Sequence, residues 1–306
     1  MNNSPSASEF DALLQLLTAH GYRFTRQFTP RSSYSKSPPP KNLVKAIVLD
    51  TETTGTDGSK DRIIELGMVV FEYCPISGQA YRVLETFNEL EDPGIHIPPE
   101  TTKIHGITDD MVCGKKINDV AVQDFISGAS LIIAHNAKFD RGFVEARFPF
   151  FESKAWACSF AQVPWTEEGL GSAKLEFLAY RYGFHYEGHR ASNDCHALLE
   201  VLQQELPESG VKAMLRLLEN ARTKEIKVWA LNSPFDSKDA LREHGYRWVA
   251  DRKTWAASIP FALLDEEVEW LRDSVFGGRP FQLELEKIDA MNRFSVRRGE
   301  VEVLRY

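Results

Sequence analysis

The sequence predicts a mixed α/β sheet covered by helices, followed by a second, smaller α/β unit. Three observations carry this expectation. A nearly continuous apolar run at 43–49 reads as a strand buried on both faces. Strand-like runs at 62–73 and 81–87 follow, joined by the turn residues Pro75-Ile76-Ser77-Gly78-Gln79, so the sheet opens antiparallel. From residue 130 onward strand and helix alternate, the pattern of a sheet with helices on its faces.

Taken in order, residues 1–25 carry a short helical pattern (Phe10, Leu13, Leu14, Leu16, Leu17) that ends in His20-Gly21-Tyr22-Arg23-Phe24. Residues 26–42 are rich in Pro, Ser and basic side chains, lack an apolar period and read as a linker. The main domain spans 43–207. After the strands above it has a buried strand at 130–134, a helix from Phe139, and helices over 172–182 and 194–206. A break at 206–210 leads to a connecting helix within 208–223. The accessory unit, 224–306, shows a strand (226–231), a helix (237–244), a strand or hairpin (246–257), a helix (264–275) and a β-rich tail. Asp236-Ser237 and Gly277-Gly278 are its cap and stop signals. Asp239-Ala240-Leu241 with His244-Gly245-Tyr246-Arg247-Trp248 echoes Asp11-Ala12-Leu13 with His20 to Phe24, but the match is short and its spacing differs, which favours coincidence.

Of 306 residues, 43% are hydrophobic and 26% charged, which excludes a mostly disordered chain, a collagen and a coiled coil. No apolar run reaches the roughly 18 residues of a membrane span, and the N-terminus lacks a secretory signal, so a cytoplasmic protein without a membrane partner is expected. Cys74, Cys113, Cys158 and Cys195 form no C-x-x-C pair and are read as free buried thiols, not a zinc site. The net charge of −8 excludes nucleic-acid binding by bulk charge and leaves a local patch or metal ions.

Asp50 and Glu52 follow the buried strand directly. Residues two apart in an extended chain point to one face, so these carboxylates project together. Paired carboxylates repel unless a cation lies between them, for which a divalent metal is the usual solution. On its own the pair also fits a solvated turn at Thr54-Gly55. From Asp140 apolar residues fall at offsets 3, 4 and 8 (Phe143, Val144, Phe148). From Asp194 they fall at 3, 4, 7 and 8 (Ala197, Leu198, Val201, Leu202). Each aspartate therefore starts the buried stripe of a helix; capping is the alternative for either one alone. His189 lies five residues before Asp194 and can stand beside a metal-bound water; a plain surface histidine is the other reading, and His185 and His196 are its nearby competitors. Four carboxylates and a histidine suit phosphodiester hydrolysis with two Mg²⁺ or Mn²⁺ ions, and metal reconciles an acidic chain with a polyanionic substrate.

Val48-Leu49-Asp50-Thr51-Glu52-Thr53-Thr54-Gly55 resembles the first motif of the DnaQ-like, or DEDDh, 3′–5′ exonucleases. Ile64-Glu65-Leu66-Gly67, Ile104-His105-Gly106-Ile107-Thr108, His135-Asn136-Ala137-Lys138-Phe139-Asp140 and the His189/Asp194 spacing continue the likeness over about 43–205. The flavour is that of the proofreading subunit of bacterial DNA polymerase III. The resemblance implies a ribonuclease-H-like fold and release of nucleoside 5′-monophosphates from the 3′ end. It implies metal ligation by Asp50, Glu52, Asp140 and Asp194, with His189 as general base. It further implies that Thr53, Gly55, Ile104, His105, Asn136 and Phe139 line the site of the terminal nucleotide; for Ile104 and Phe139, core packing is the other reading. DNA, single-stranded or with a frayed 3′ end, is the expected substrate, with RNA second. A non-catalytic nucleic-acid or replication-protein adaptor is the rival, and the intact five-residue set argues against it.

The resemblance leaves the ends of the chain unexplained. The accessory unit holds Trp229, Trp248, Trp255 and Trp270, with Arg247, Arg252 and Lys253 nearby. That interleaving fits a nucleic-acid-binding or a protein-docking unit, and tryptophans in a small core fit it equally.

Overall fold

A computed structural model describes residues 7–306. The chain opens with helix α1 (Ala7–Ala19) and strand β1 (Arg26–Gln27), then lays down three long strands, β2 (Val44–Thr53), β3 (Ile63–Tyr73) and β4 (Ala80–Leu90). Helices α2 (Pro99–His105), α3 (Asp109–Val112) and α4 (Asp119–Ser127) lead to β5 (Leu131–Ala134), α5 (Ala137–Arg147), β6 (Trp156–Cys158) and α6 (Ser159–Gln162). Next come α7 (Leu175–Arg181), β7 (Phe184–His185), α8 (Ala191–Leu202) and α9 (Ala213–Arg222). The remaining elements are β8 (Glu225–Leu231), α10 (Lys238–Glu243), β9 (Arg247–Val249), β10 (Thr254–Pro260), α11 (Leu264–Trp270), β11 (Gln282–Ile288) and β12 (Val301–Arg305). The sequence-predicted N-terminal segment is helical from Ala7; its residues 1–6 lie outside the described ones.

The first sheet has the order β4-β3-β2-β5-β6. The pairs β4–β3 and β3–β2 are antiparallel, and β2–β5 and β5–β6 are parallel. Alternation along β2 explains its unbroken apolar run: Ala46 and Val48 enter one core while Ile47 and Leu49 enter the other. The first core is closed by α7, α8 and α9, the second by α4 and α5. Ribonuclease-H-like mixed sheet architecture, with helices on both faces, is therefore present as expected.

The second sheet, β12-β11-β8-β10-β9, is antiparallel throughout. Ile226, Val228, Leu283 and Leu285 pack on one face beneath Leu241, Val268 and Leu271 of the helical layer. On the other face Trp229 is buried under Arg252, 3.9 Å from its ring centre, and Lys227, at 4.4 Å. Arg252 is held by Glu284 at 2.8 and 2.9 Å, and Arg298 also pairs with Glu284. The cations beside Trp229 are thus largely matched by carboxylates.

Three local differences from the sequence reading have physical causes. Residues 26–34 are attached to the core: Phe28 is buried, and Arg26 and Arg31 both donate to buried Glu200 at 2.8 Å. One anchoring aromatic in a polar stretch leaves no period to detect. Helix α8 starts at Ala191, not at Asp194: Ala191 is buried in phase with Cys195 and Leu198, but the polar pair Ser192-Asn193 after it hides the start of the stripe. Cys113 is exposed, whereas Cys74, Cys158 and Cys195 are buried; all four are free.

Candidate active site

The site forms where β2 ends between α5 and α8. Alternation carries Asp50 and Glu52 to the same side, and the register against β3 shifts between Glu52 and Thr53, which re-aims the chain as it leaves the sheet. Helix α5 begins after Asn136, which takes a left-handed conformation (φ 87°), and places Asp140 in its first turn with 2% exposure. Helix α8 brings Asp194 in from the other side. His189, in the loop before it, is also left-handed (φ 61°), an uncommon conformation for a non-glycine residue.

Asp50, Glu52 and Asp194 each turn a carboxylate oxygen to one point, all within 4.8 Å of one another. Asp140 stands beside them, its Oδ1 accepting the Thr51 backbone N–H (3.1 Å) and hydroxyl (2.9 Å). Asp194 accepts from the Tyr186 hydroxyl at 2.8 Å through Oδ1 and from the Arg190 N–H at 3.1 Å through Oδ2. These bonds fix the side chains before any ligand arrives. All four acids line one cavity of about 560 Å³, which His189, Asn136 and Phe139 also line.

The electrostatics are those of crowded acids removed from water. Burial raises Asp50 well above the usual carboxylate range, and Asp140 and Asp194 add to it. Burial, then Asp194 and Glu65, push Glu52 up to about 8, with Arg190 opposing. Burial pushes Asp140 up to about 7 against the two Thr51 bonds. Asp194 is also raised by burial, partly offset by Tyr186 and the Arg190 N–H. Arg190 is committed elsewhere: its Nη2 donates to Glu65 at 2.9 Å. Such a group is costly without a cation, so the converging oxygen donors fit a divalent metal of the hard, oxygen-seeking kind.

Of the six residues expected around the terminal nucleotide, Asn136 and Phe139 line the cavity. The other four do not. Thr53 donates its hydroxyl to Gly55 O at 2.6 Å, and Gly55 has Asp61 Oδ2 2.5 Å from where a Cβ would stand. Ile104 is exposed on α2, and buried His105 accepts the Ile107 N–H through Nδ1 at 3.0 Å. Sequence reasoning missed Tyr186, Phe160 and Glu176, which also line the cavity. Tyr186 had a usable signal, its place three residues before His189 in the same loop.

The exonuclease family model (RNase_T) matches residues 47–202, which include all four acids and His189. The chain is 34% identical over 162 residues to the DNA polymerase III subunit epsilon of Treponema pallidum (strain Nichols), covering 50% of this chain and 72% of that protein. It is 31% identical over 163 residues to the DNA polymerase III PolC-type of Clostridium perfringens (strain 13 / Type A), covering 51% of this chain and 11% of that much longer protein. Among solved structures, Exonuclease X in complex with 5′ overhanging duplex DNA is 25% identical, with a TM-score of 0.41, over 57% of this chain and 98% of that one. Among the described residues, no helix is long and apolar enough to cross a membrane.

Proposed function

This chain belongs to the exonuclease family and is a 3′–5′ exonuclease, and we propose that it acts on single-stranded or frayed 3′ ends of DNA, releasing nucleoside 5′-monophosphates with two divalent ions, Mg²⁺ or Mn²⁺. The observation that supports this most is the convergence of Asp50, Glu52 and Asp194 in one cavity with Asp140 and His189.

Asp50, Glu52, Asp140 and Asp194 are the residues that would hold the ions. When bound, such ions stabilise charge on the phosphate and make water a better nucleophile near neutral pH. The protein groups do the rest. Thr51 and Tyr186 hold Asp140 and Asp194 in place through the bonds above. Phe139 presents an aromatic wall to the terminal base, and stacking tolerates any base, as removal of successive nucleotides requires. Asn136 faces the same space, while Thr53, Gly55, Ile104 and His105 are assigned to the approach of the terminal nucleotide. His189 takes the proton from the attacking water; imidazole suits that work at neutral pH. Its Nε2 lies 3.7 Å from Glu176 Oε1, beyond hydrogen-bond distance, at the mouth of the cavity.

The test uses a 5′-labelled single-stranded DNA with Mg²⁺ or Mn²⁺, an RNA copy of it, and an Asp50→Ala control. A ladder that shortens from the 3′ end on DNA, absent in the control and slower on RNA, is expected. Faster trimming of RNA would reassign the substrate, and an undigested strand in both metals would defeat the proposal.

A further inference from the structure

The N-terminal segment lies outside the residues matched by the family model, yet it is built into the approach to the active site. Strand β1 pairs in parallel with β7, Arg26 opposite Phe184 and Gln27 opposite His185. Strand β7 runs straight into Tyr186, which lines the cavity and holds Asp194. The pairing is secured on both sides: Thr25 Oγ1 lies 2.9 Å from His185 Nδ1, and Phe28 packs on Phe184 with ring centres 5.2 Å apart.

The residues just before β1 do not pack into a core. Tyr22 is 61% exposed and Phe24 41%, their rings stacked at 6.5 Å. Between them Arg23 reaches over the ring of Tyr180, 5.5 Å from its centre, and Tyr180 is itself 46% exposed. Tyr180 lies on α7 four residues after Glu176, hence on the same face one helical turn away. Glu176 lines the catalytic cavity. A band of exposed aromatic rings with one cation therefore leads away from the cavity mouth. Exposed rings gathered around one cation offer a stacking surface, and π-faces alternating with a basic group match a single polynucleotide strand, whose bases stack and whose phosphates are anionic.

We propose that Tyr180, together with Tyr22, Arg23 and Phe24, forms an auxiliary platform for the stretch of single strand lying 5′ of the nucleotides in the catalytic cavity. This rests on the exonuclease reading above. The platform lengthens the footprint of the enzyme, so it acts on substrates of many nucleotides and leaves very short ones unaffected. The N-terminal segment thereby contributes to substrate length preference and takes no part in bond cleavage.

The experiment is binding of fluorescent single-stranded DNA by anisotropy, in the full chain carrying Asp50→Asn so that the strand survives. A 20-mer and a trinucleotide are compared, with Tyr180→Ala, Phe24→Ala and Tyr180→Phe added singly. Each alanine change is expected to weaken the 20-mer about fivefold or more, the low end of one lost stacked base, while trinucleotide affinity stays put. Tyr180→Phe keeps the ring and should retain binding, which separates stacking from any local unfolding. Arg23→Gln should reduce the salt dependence of 20-mer binding by about one phosphate contact. Unchanged 20-mer affinity in both alanine variants, or equal losses on both lengths, would overturn the platform. Cleavage of the 20-mer by the unsubstituted chain is read in parallel, so failure of the exonuclease reading shows there and not in the variant series.

Discussion

The Tyr186 hydroxyl donates to Asp194 Oδ1 at 2.8 Å, tying a residue of the cavity wall to one of three converging carboxylates. Burial, and then the Asp194 charge, keep that phenol protonated and hence a donor. Its work is to stop the carboxylate from rotating. Tyr186→Phe preserves the ring and removes only the bond. Loss of such a supporting contact typically weakens metal affinity about 10–100-fold. Titration with Mn²⁺ by calorimetry should show a loss in that range with the melting temperature nearly unchanged. An unaltered affinity would mean that the Arg190 N–H alone is enough to hold Asp194.

Gly67 is the point where α8 rests on β3. A Cβ there would lie 2.4 Å from the Ala191 backbone carbon and 2.6 Å from the Ser192 nitrogen, and backbone cannot step aside as a side chain can. Gly67→Ala must therefore lift the start of α8, and Asp194 sits within its first turn. Overpacking of this sort costs about 1–3 kcal/mol. Catalysis should fall further than stability does, because Asp194 leaves its partners across the cavity. A variant with normal turnover would show that α8 can tilt without moving Asp194.

The crowded acids make stability depend on pH in the direction opposite to ordinary acid denaturation. Glu52 is raised to about 8 and Asp140 to about 7, so the folded protein without metal holds protons that the unfolded chain would release. Stability contributed by the protonated forms is complete below the unfolded value near 4 and is lost as pH rises through 7 and 8. Burial depresses His135 to about 4, which acts the other way between roughly pH 4 and 6.5, so the clean window is pH 6.5 to 8. In a chelator the urea midpoint should drop from pH 6.5 to 8. Glu52→Gln should flatten that slope, and Mg²⁺ should restore the midpoint at pH 8. A midpoint that rises across this window would contradict the raised values.

The parts of this site that were legible from sequence are those written in short-range periodicity. Asp50 and Glu52 share a strand face because they are two apart, and Asp140 and Asp194 sit at the head of apolar stripes. What escaped depends on long-range pairing or irregular backbone. Glu65 receives Arg190 from 125 positions away, and no local pattern records that. Phe160 and Tyr186 reach the cavity from a one-turn helix and a loop, which have too few residues for a period. The short helices α2 to α4 fell below the same limit. Four expected nucleotide contacts, Thr53, Gly55, Ile104 and His105, lie near the motifs in sequence, but turns and helix α2 carry them off the cavity wall.

Arg141, the residue after Asp140, is completely buried and links the two sheets. Its Nε donates to Glu145 at 2.7 Å, while Nη1 and Nη2 donate to Arg293 O at 2.8 Å and Met291 O at 2.5 Å, both in the segment between β11 and β12. The same segment gives Ala290 O to the Trp156 N–H at 2.7 Å, so it also finishes the open edge of β6. The connection between β11 and β12 thus grips the helix that carries Asp140. Arg141→Leu would leave Glu145 and two carbonyls without this guanidinium, and breaking a buried pair costs about 3–5 kcal/mol. The two sheets should then uncouple: calorimetry of the variant should show two transitions where the unsubstituted chain shows one. A single transition at the original temperature would mean that the β6 edge and the Arg293 bonds to Ala221 and Thr223 suffice to join them.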